Sequence, residues 1–393
     1  MSRAAAWVVF LKECRESLRD RRVLINALLI GPLLGPLLFV IVLRLTVARQ
    51  IEQAARPLPV AVAGAEQAPN LIAALEQQGL QLLPAPADLA GAVRSQQLDL
   101  ALRIPAGYAD AWRAGRPAQV ELFYDSSRQG VLAEVQRLEA MLQGYSQRNA
   151  ALRLMARGLS PTLSAPIVVA ARDQATPQGR GALMFAMLPY FLVFTAIIGG
   201  MWLAIDSTAG ERERGSLEPL LINPVPRDRI LLGKVLATAL FGLASLALGL
   251  LAFMVAGWFL PGDQLGLSFN LGPHVVAATL PVMLPLVLLI AVTEILVTAF
   301  AKSAREAQAH LALVQILPAI TSVVLSFAPI KSALWMYVVP LLGQQLIILR
   351  LLRGEPIAPA AAILATVFTL VAALLVFWAA RRSYQTERLA ISS

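Results

Sequence analysis

Long apolar runs, separated by shorter polar segments, dominate the pattern of this chain. The hydrocarbon core of a bilayer is about 30 Å thick, and an α-helix needs roughly 20 apolar residues to cross it. Six runs have a suitable length and predict six transmembrane helices, the first to the sixth span. The predicted spans cover residues 23–43, 182–205, 230–260, 275–300, 311–330 and 360–380.

Two apolar segments need separate interpretation. The first span follows a basic segment, as the core of a signal peptide would, but it is longer than such a core, and Arg44 follows it without a small-residue cleavage site. We therefore interpret it as an uncleaved span. Residues 337–349 are apolar but too short to cross, and Gln344 and Gln345 interrupt them. They predict a re-entrant or interfacial helix in the loop 331–359.

Basic residues in the short loops orient the spans, because cytoplasmic loops carry an excess of Lys and Arg. The N-terminal segment, the tail 381–393 and the loops after the second and fourth spans are basic, whereas residues 261–274 contain neither Lys nor Arg. Both termini and the loop 206–229 are therefore expected in the cytoplasm. Three basic residues of the loop 331–359 favour the opposite orientation: Lys331, Arg350 and Arg353.

Residues 1–22, before the first span, predict an amphipathic helix. An apolar stripe at helical spacing occupies one face, and Lys12, Glu13 and Glu16 lie away from it. This pattern is typical of a helix that lies in the cytoplasmic interface of the membrane. A soluble helix packed on a partner is the alternative. The stripe consists of Trp7, Phe10, Leu11, Cys14 and Leu18.

The segment 44–181, between the first two spans, has an ordinary globular composition. Strand-like runs such as LPVAVAG alternate with helix-like runs such as APNLIAALEQQG, and APIVVAARD closes the segment as a last strand. This alternation predicts a small α/β domain, which the orientation of the spans places outside the cytoplasm. The predicted fold class is an α-helical polytopic membrane protein with an inserted extracytoplasmic α/β domain.

Composition supports a membrane protein and excludes other classes. Of the 393 residues, 58% are hydrophobic and 15% are charged, against about 25% charged residues in a typical soluble domain. The location of the net charge of +9 matters more than its sum. The insert is nearly neutral and has no basic stripe, so no nucleic-acid partner is expected. Cys14 is the only cysteine, which excludes an internal disulfide and a thiolate metal cluster.

Motifs for ATP binding and for catalysis are missing. The stretch nearest to a P-loop, RDRILLGKVLA, has Asp228 where the first glycine should stand and Val235 after Lys234. Without the glycine cradle and the hydroxyl ligand for magnesium, this chain is not expected to bind ATP. The two histidines, His274 and His310, are predicted at opposite membrane surfaces and cannot share a catalytic or metal site. An enzyme is therefore not expected.

The loop 206–229 carries a dense series of turn signals. The second span can continue as a helix through DSTAGERER, and Gly215 is a natural helix stop. Ser216 can cap a short helix over 217–222, and the Asn-Pro pair that follows ends it. The short helix is either a docking element for a partner protein or a tight turn whose leucines fold onto the membrane surface. The residues alone leave both interpretations open.

The stretch ERERGSLEPLLINPVPR in this loop resembles the signature of ABC type-2 exporter permeases, which typically reads E-R-E-x-G-[ST]-L-E-x-L-L-x-x-P-[VI]. Three further segments are similar to the sodium-efflux, NatB-like branch of that family: LKECRESLRDRR, AKSAREAQAH and PLLGQQLIILRLLRGE. A large insert after the first span fits the same branch. The resemblance covers essentially the whole chain.

This resemblance implies a permease that forms a homodimer and docks two separate ATPase subunits on the short helix after the second span. ATP and Mg²⁺ would then be bound by the ATPase, and this chain would bind no cofactor. In the coupling element carried over from the signature, the acids would suit a basic groove on the ATPase, and Gly215 would permit the turn. The element comprises Glu211, Glu213, Gly215, Leu217, Glu218, Leu220 and Leu221.

Glu294 is an ionisable residue inside the fourth span. A carboxyl group in such a place is a candidate functional site by default. Gln315 in the fifth span could face it, and the two residues form a candidate translocation path. The alternative is a structural ion pair near the cytoplasmic surface, with Lys302 or Lys234 as the partner.

These observations predict the non-catalytic permease subunit of an ABC type-2 exporter, in the cytoplasmic (inner) membrane of a bacterium and driven by a separate ATPase. Sodium efflux is expected from the branch resemblance, while drugs, lipids and peptides stay open as substrates. The alternative is a membrane-anchored sensor or assembly platform whose extracytoplasmic domain binds a ligand.

Overall fold

The computed structural model describes residues 2–128, 130–164, 170, 172, 174–215, 225–260, 268, 270–327 and 332–385. The chain divides into two compact units. The membrane unit comprises Met1–Thr46 and Gln174–Ser393, and the α/β unit comprises Val47–Asp173. Each unit is described by itself.

In the part of the chain that the structure describes, six helices are long and apolar enough to cross a membrane. The chain is therefore a multi-pass helical membrane protein. The outer faces of the first, fifth and sixth spans expose many large apolar side chains, among them Leu37, Leu317 and Leu374. Such a surface suits a lipid environment. The spans are Arg21–Arg49, Leu188–Glu213, Arg227–Trp258, Pro273–Phe300, Ala304–Leu325 and Pro359–Tyr384.

Two spans begin at other residues than the apolar pattern predicted. Residues Pro177–Met184 form a separate helix, and the second span starts at Leu188 with Pro189 in its first turn, where proline is tolerated because those N–H groups have no intrahelical partner. The fifth span starts at Ala304 because Ser303 caps it: the Ser303 hydroxyl accepts a hydrogen bond from the backbone N–H of Glu306 at 3.3 Å.

The second, third and fourth spans pack against one another and form the centre of the membrane unit. Small residues allow the close approach: a side chain at Gly199 of the second span would collide with Ser245 of the third. Helices in membranes associate through such contacts, because lipid gives little hydrophobic driving force. Fully or almost fully buried side chains at this centre include Leu192, Val193, Leu246, Phe253, Val287 and Ile295.

Helix α1 (Ser2–Arg19) packs on the third span with a face that differs from the predicted apolar stripe. Its buried residues are Ala6, Val9, Glu13, Cys14 and Ser17, whereas Trp7 and Leu18 are 58% and 56% exposed. The third span determines this rotation. A side chain at Gly233 would meet Val9 and the Ala6 carbonyl oxygen at 2.7 and 2.8 Å, and the neighbouring Lys234 lies within 3.5 Å of Glu13.

The polar pair that interrupts residues 337–349 anchors a helix. The segment contains the 3₁₀ turn Leu334–Val338 and an α-helix, Leu342–Arg353, whose Gln344 and Gln345 are fully buried. Gln344 Nε2 donates to Thr369 Oγ1 of the sixth span at 2.7 Å, and Gln345 Nε2 donates to the Pro318 carbonyl of the fifth span at 3.4 Å. The segment is therefore tied to two spans.

The α/β unit contains a four-stranded sheet of order β2-β1-β3-β4. The strands β1, β2 and β3 are parallel, and β4 is antiparallel to β3. Helices follow β1, β2, β3 and β4, as the alternation of strand-like and helix-like runs predicts. The fifth predicted strand, 165–173, lies largely outside the described residues. The strands are β1 Leu58–Ala63, β2 Leu80–Leu83, β3 Leu100–Arg103 and β4 Glu121–Tyr124; the helices are α2 Pro69–Gln77, α3 Leu89–Arg94, α4 Tyr108–Arg113 and α5 Val131–Ala156.

Helices cover both faces of this sheet. On one face, Val60 and Leu102 pack with Leu75 of α2 and Leu138 of α5. On the other face, Ala61 and Ala101 pack with the α3 helix. Burial on both faces explains why the central strands read as continuous apolar runs rather than as an alternating pattern.

Candidate functional site

The described part of the signature ends at Gly215. Residues 216–224 lie outside the described residues, and with them the predicted short helix and its Leu217, Glu218, Leu220 and Leu221. The structure describes the last turns of the second span, from which that segment starts. We call their charged residues Glu211, Arg212, Glu213 and Arg214 the platform. A π-helical turn, Asp206–Gly210, continues the span into Glu211–Glu213, as DSTAGERER predicted.

Glu211 is 5% exposed and joins three helices. Its carboxylate accepts a hydrogen bond from Lys12 Nζ of α1 at 2.8 Å and another from Lys234 Nζ of the third span. Lys234 is fully buried and also donates to the Ser207 carbonyl. Glu13 completes the group, 3.3 Å from Lys12 Nζ and 3.5 Å from Lys234 Nζ. We call Lys12, Glu13, Glu211 and Lys234 the ionic cluster.

The surroundings of the ionic cluster shift the pKa values of its two members on α1, Lys12 and Glu13. Burial raises the pKa of Glu13, and the charge of Glu211 adds to that effect while Lys234 and Lys12 oppose it. Burial disfavours the Lys12 ammonium, but its hydrogen bond to Glu211 and the nearby acids more than offset this and raise the pKa of Lys12. The cluster holds two acids and two bases, so its formal charges balance when all are ionised.

Arg212 binds the end of the fourth span. Its guanidinium donates to the carbonyl oxygens of Ala299 at 2.8 Å and Ala301 at 3.0 Å. The last carbonyls of a helix have no intrahelical partner and carry the negative end of the helix dipole, so a cation is stabilising there. The second span is thereby fixed to the fourth.

The next two charges are also paired within the chain. Glu213 accepts a hydrogen bond at 3.1 Å from the backbone N–H of Ala304, at the start of the fifth span. Arg214 donates to Asp206 Oδ1 at 2.7 Å, eight residues earlier in the chain. The alternating charges of the signature, which suggest a solvated loop, are therefore each bound to a defined partner.

Glu211 has its partners inside this chain, whereas the docking role expected for the acids of the signature stays a prediction. We expected Glu211 and Glu213 to face a basic groove of a partner, but Glu211 is buried and its carboxylate contacts lysines of this chain. The lysines are Lys12 of α1 and Lys234 of the third span, so pairing inside the chain competes with any partner. Glu213 is exposed, although it also bonds Ala304.

Gly215 ends the described helix with φ +67. An ideal Cβ placed there meets no atom of the described residues within 4 Å, so the positive φ, and not a collision with them, opposes a larger residue. Beside it lies a cleft of about 420 Å³, bounded by the start of the first span, the end of the second and the start of the fifth. Its wall carries the acids Asp20, Asp206 and Glu213 and the bases Arg22 and Arg214.

Glu294 is fully buried, and neither of its carboxylate oxygens has a hydrogen-bond partner among the described residues. The group lies where the second, third and fourth spans meet. A Cβ at Gly200 would stand 2.5 Å from Glu294 Oε2 and 2.9 Å from Thr238 Cγ2. The Thr238 hydroxyl is likewise without a partner in the described part of the chain. Glu294 therefore faces Gly200 of the second span with an unsatisfied oxygen, and Thr238 faces it with its methyl group.

None of the partners that the sequence suggested for Glu294 is paired with it. Lys234 is bound in the ionic cluster, Lys302 is exposed, and Gln315 donates to Met201 Sδ at 3.3 Å. The proposed structural ion pair is therefore wrong for the described residues. Gln315 nevertheless contacts the residue next to Gly200, so it lies on the same stretch of the second span as the carboxyl group. No three His, Cys, Asp or Glu side chains of the described ranges could hold a metal ion together.

The sequence analysis missed the importance of three residues: Lys12, Glu13 and Lys234. Lys234 carried a usable signal, because a lysine inside an apolar span needs a counter-charge. Glu13 stands one residue from Cys14 on α1 and could have been proposed as that counter-charge, but the apolar stripe placed it on the polar face.

The six spans define a multi-pass membrane protein, with a charged cluster at the end of the second span. The chain belongs to the ABC-2 family transporter proteins, whose family model matches residues 7–380. It is 28% identical over 297 residues to the ABC transporter permease protein NatB of Bacillus subtilis (strain 168), a match that covers 74% of this chain and 76% of that protein.

The comparisons confirm the resemblance to ABC type-2 permeases and to their NatB-like branch. The chain is a permease subunit of an ABC transporter, a class whose members work with an ATPase subunit. This assignment favours transport over the alternative of a sensor or assembly platform.

Proposed function

We propose that this permease exports its substrate from the cytoplasm of a bacterium, driven by a separate ATPase that docks on the segment after Gly215. The ATPase binds ATP and Mg²⁺, and this chain contributes no catalytic residue. The observation that carries the proposal is the platform formed by Glu211, Arg212, Glu213 and Arg214, whose charges are all bound.

Such a platform can transmit movement. Coupling between distant sites requires a physical network that both sites can bias. The docking segment leaves a helix whose last turn is attached to α1, to the third and fourth spans and to the start of the fifth. A displacement of that turn by the ATPase would reach these four elements through direct hydrogen bonds. The exposed Glu213, at the edge of the cleft, is a suitable contact for a basic residue of the ATPase.

The orientation proposed from the basic loops places both termini and the docking segment in the cytoplasm. The α/β unit, inserted between the first and second spans, is then extracytoplasmic. We also propose a homodimer, by the family resemblance, so that two ATPase subunits face two docking segments. The large apolar side chains exposed on the first and fifth spans leave surface for a second copy as well as for lipid.

We propose sodium as the substrate on the resemblance to the NatB-like branch, and Glu294 is the intramembrane residue at which this can be tested. A carboxylate without a partner in a span costs several kcal/mol, so a proton or a cation is expected to accompany Glu294. Hard cations prefer oxygen ligands, and the Glu294 carboxyl group supplies two unsatisfied oxygens. Thr238 lies beside the same glycine, with its methyl group towards it. We propose that Glu294 and Gln315 line the path, with Thr238 beside the carboxyl group.

A test of docking uses the turn and the predicted short helix. Gly215→Val forces a β-branched residue to φ +67, and Leu220→Asp places a charge on the predicted leucine ridge. We expect both variants to insert into the membrane normally, and both to lose substrate-stimulated ATP hydrolysis by the co-purified ATPase.

Gly354→Val is the matched control for this test, because Gly354 also has a positive φ, +69, but lies after the helix Leu342–Arg353. It imposes comparable strain far along the chain from the signature and should retain stimulation. Normal stimulation in both Gly215→Val and Leu220→Asp would overturn the docking assignment.

A further inference from the structure

The α/β unit contains a pocket of about 510 Å³ that the transport mechanism does not use. Helix α4 forms one wall and α5 the opposite wall, with residues 115–118 and 120 at a third side. Binding sites for small molecules have volumes of roughly 300–1,000 Å³ and combine apolar walls with a few polar groups. The pocket lies entirely within residues of one compact unit.

Three aromatic rings form a ladder along the pocket. The centroids of Tyr108 and Trp112 are 5.8 Å apart at an interplanar angle of 13°, and those of Trp112 and Tyr145 are 5.7 Å apart at 26°. Offset, nearly parallel rings at this spacing attract one another. Leu142 adds an aliphatic surface. The walls therefore favour a flat, apolar ligand body.

The charged side chains that line the pocket are all basic. Arg116 and Arg153 line it, and none of the described residues that line it is acidic. The Arg153 guanidinium lies 4.1 Å from the Trp112 ring centroid and donates to the Trp112 carbonyl at 2.8 Å, which holds it in one orientation beside the ladder. Arginine binds carboxylates strongly, through charge-assisted and often bidentate hydrogen bonds.

The hydroxyl groups of Tyr108 and Tyr145 bear on the charge of the pocket. Burial, together with the neighbouring Tyr145, raises the pKa of Tyr108, while Arg153 opposes the shift. Burial likewise raises the pKa of Tyr145. Both hydroxyls therefore stay protonated at neutral pH and add no negative charge to the pocket.

We propose that this pocket binds a small aromatic carboxylate, with the ring against the aromatic ladder and the carboxylate on Arg116 and Arg153. The proposal concerns the α/β unit alone and does not depend on which substrate crosses the membrane.

The test uses the full-length permease in lipid nanodiscs and 2-naphthoate as the probe, measured by equilibrium dialysis against empty nanodiscs. We expect saturable binding to the permease, and much weaker binding of the neutral isostere 2-naphthamide. Arg116→Gln and Arg153→Gln should each weaken naphthoate binding roughly tenfold, since each removes a charge-assisted hydrogen bond. Arg148→Gln, at an exposed arginine of α5 outside the pocket, is the matched control and should bind as the wild type does.

Arg153→Gln could disturb the aromatic ladder, because Arg153 packs on Trp112. Arg116 is exposed, so Arg116→Gln should fold normally and keeps the test decisive. Binding of naphthoate no greater than to empty nanodiscs would overturn the proposal. So would equal affinity of wild type and Arg116→Gln, or equal binding of naphthoate and naphthamide.

Discussion

Replacing Lys234 with Met is expected to destabilise the permease and to uncouple it from its ATPase. Lys234 is fully buried and is bound to Glu211, the Ser207 carbonyl and Glu13. Without it, Lys12 is the remaining base of the ionic cluster for the buried carboxylates of Glu13 and Glu211. Breaking a buried ion pair by removing one partner costs about 3–5 kcal/mol, because a charge is left uncompensated. The methionine itself suits an apolar span, so insertion into the membrane should persist.

Two measurements check this prediction: the thermal unfolding of the purified permease, and the ATP hydrolysis that it stimulates. Adding Glu211→Gln to Lys234→Met restores the charge balance with one acid and one base, and should recover a large part of the lost stability. Lys302→Met is the matched control, since Lys302 is an exposed lysine at the end of the fourth span. If Lys234→Met unfolds at the same temperature as Lys302→Met, the ionic cluster does not hold the platform.

The length of the apolar runs was enough to predict the spans, because the thickness of a bilayer sets that length whatever the packing. Deviations occurred where local chemistry decides a helix end. Ser303 starts the fifth span before its apolar run, and Pro189 marks the start of the second after the run has begun. The strands of the α/β unit could also be predicted, because their apolar runs are short and alternate with longer amphipathic runs.

The rotation of each helix could not be predicted. The apolar stripe of α1 describes a helix between water and lipid, but Gly233 and Lys234 of the third span draw Val9 and Glu13 inward instead. The contact between Lys12 and Glu211 joins residues 199 positions apart. No local period contains that information, although a lysine in an apolar span does indicate that a counter-charge exists.

The surroundings of Glu294 were hidden for a related reason. The fourth span is apolar on all sides, so its sequence does not indicate which neighbour a given residue faces. Proximity in depth suggested Lys234, but Lys234 is bound on the side of α1 and the second span, while Glu294 lies against Gly200. The structure therefore separates two buried charged residues that the sequence allowed to pair.

Glu294→Gln is expected to abolish sodium transport without lowering stability. The amide is nearly isosteric and fits the same space beside Gly200, but it cannot neutralise a cation. In proteoliposomes that contain the permease and its ATPase, ATP-driven movement of ²²Na⁺ should fall at least roughly tenfold, equivalent to the loss of about 1.4 kcal/mol of cation stabilisation. Thr238→Val should reduce it less, since a hydroxyl contributes no charge. Thr293→Val is the control, because that hydroxyl bonds the Leu289 carbonyl of its own helix.

Thermal unfolding of Glu294→Gln also tests the alternative that Glu294 is held by a structural partner. If Glu294 were held by a structural partner, Glu294→Gln would break a buried interaction and destabilise the permease, as Lys234→Met is expected to do. Because its oxygens lack partners in the described residues, neutralising it should leave the unfolding temperature unchanged or raise it. Unchanged sodium transport would contradict its role in the path, and a large loss of stability would contradict its lack of a partner. Of the two fully buried charged residues, Lys234 is thus expected to stabilise the fold, and Glu294 to cost stability for the sake of transport.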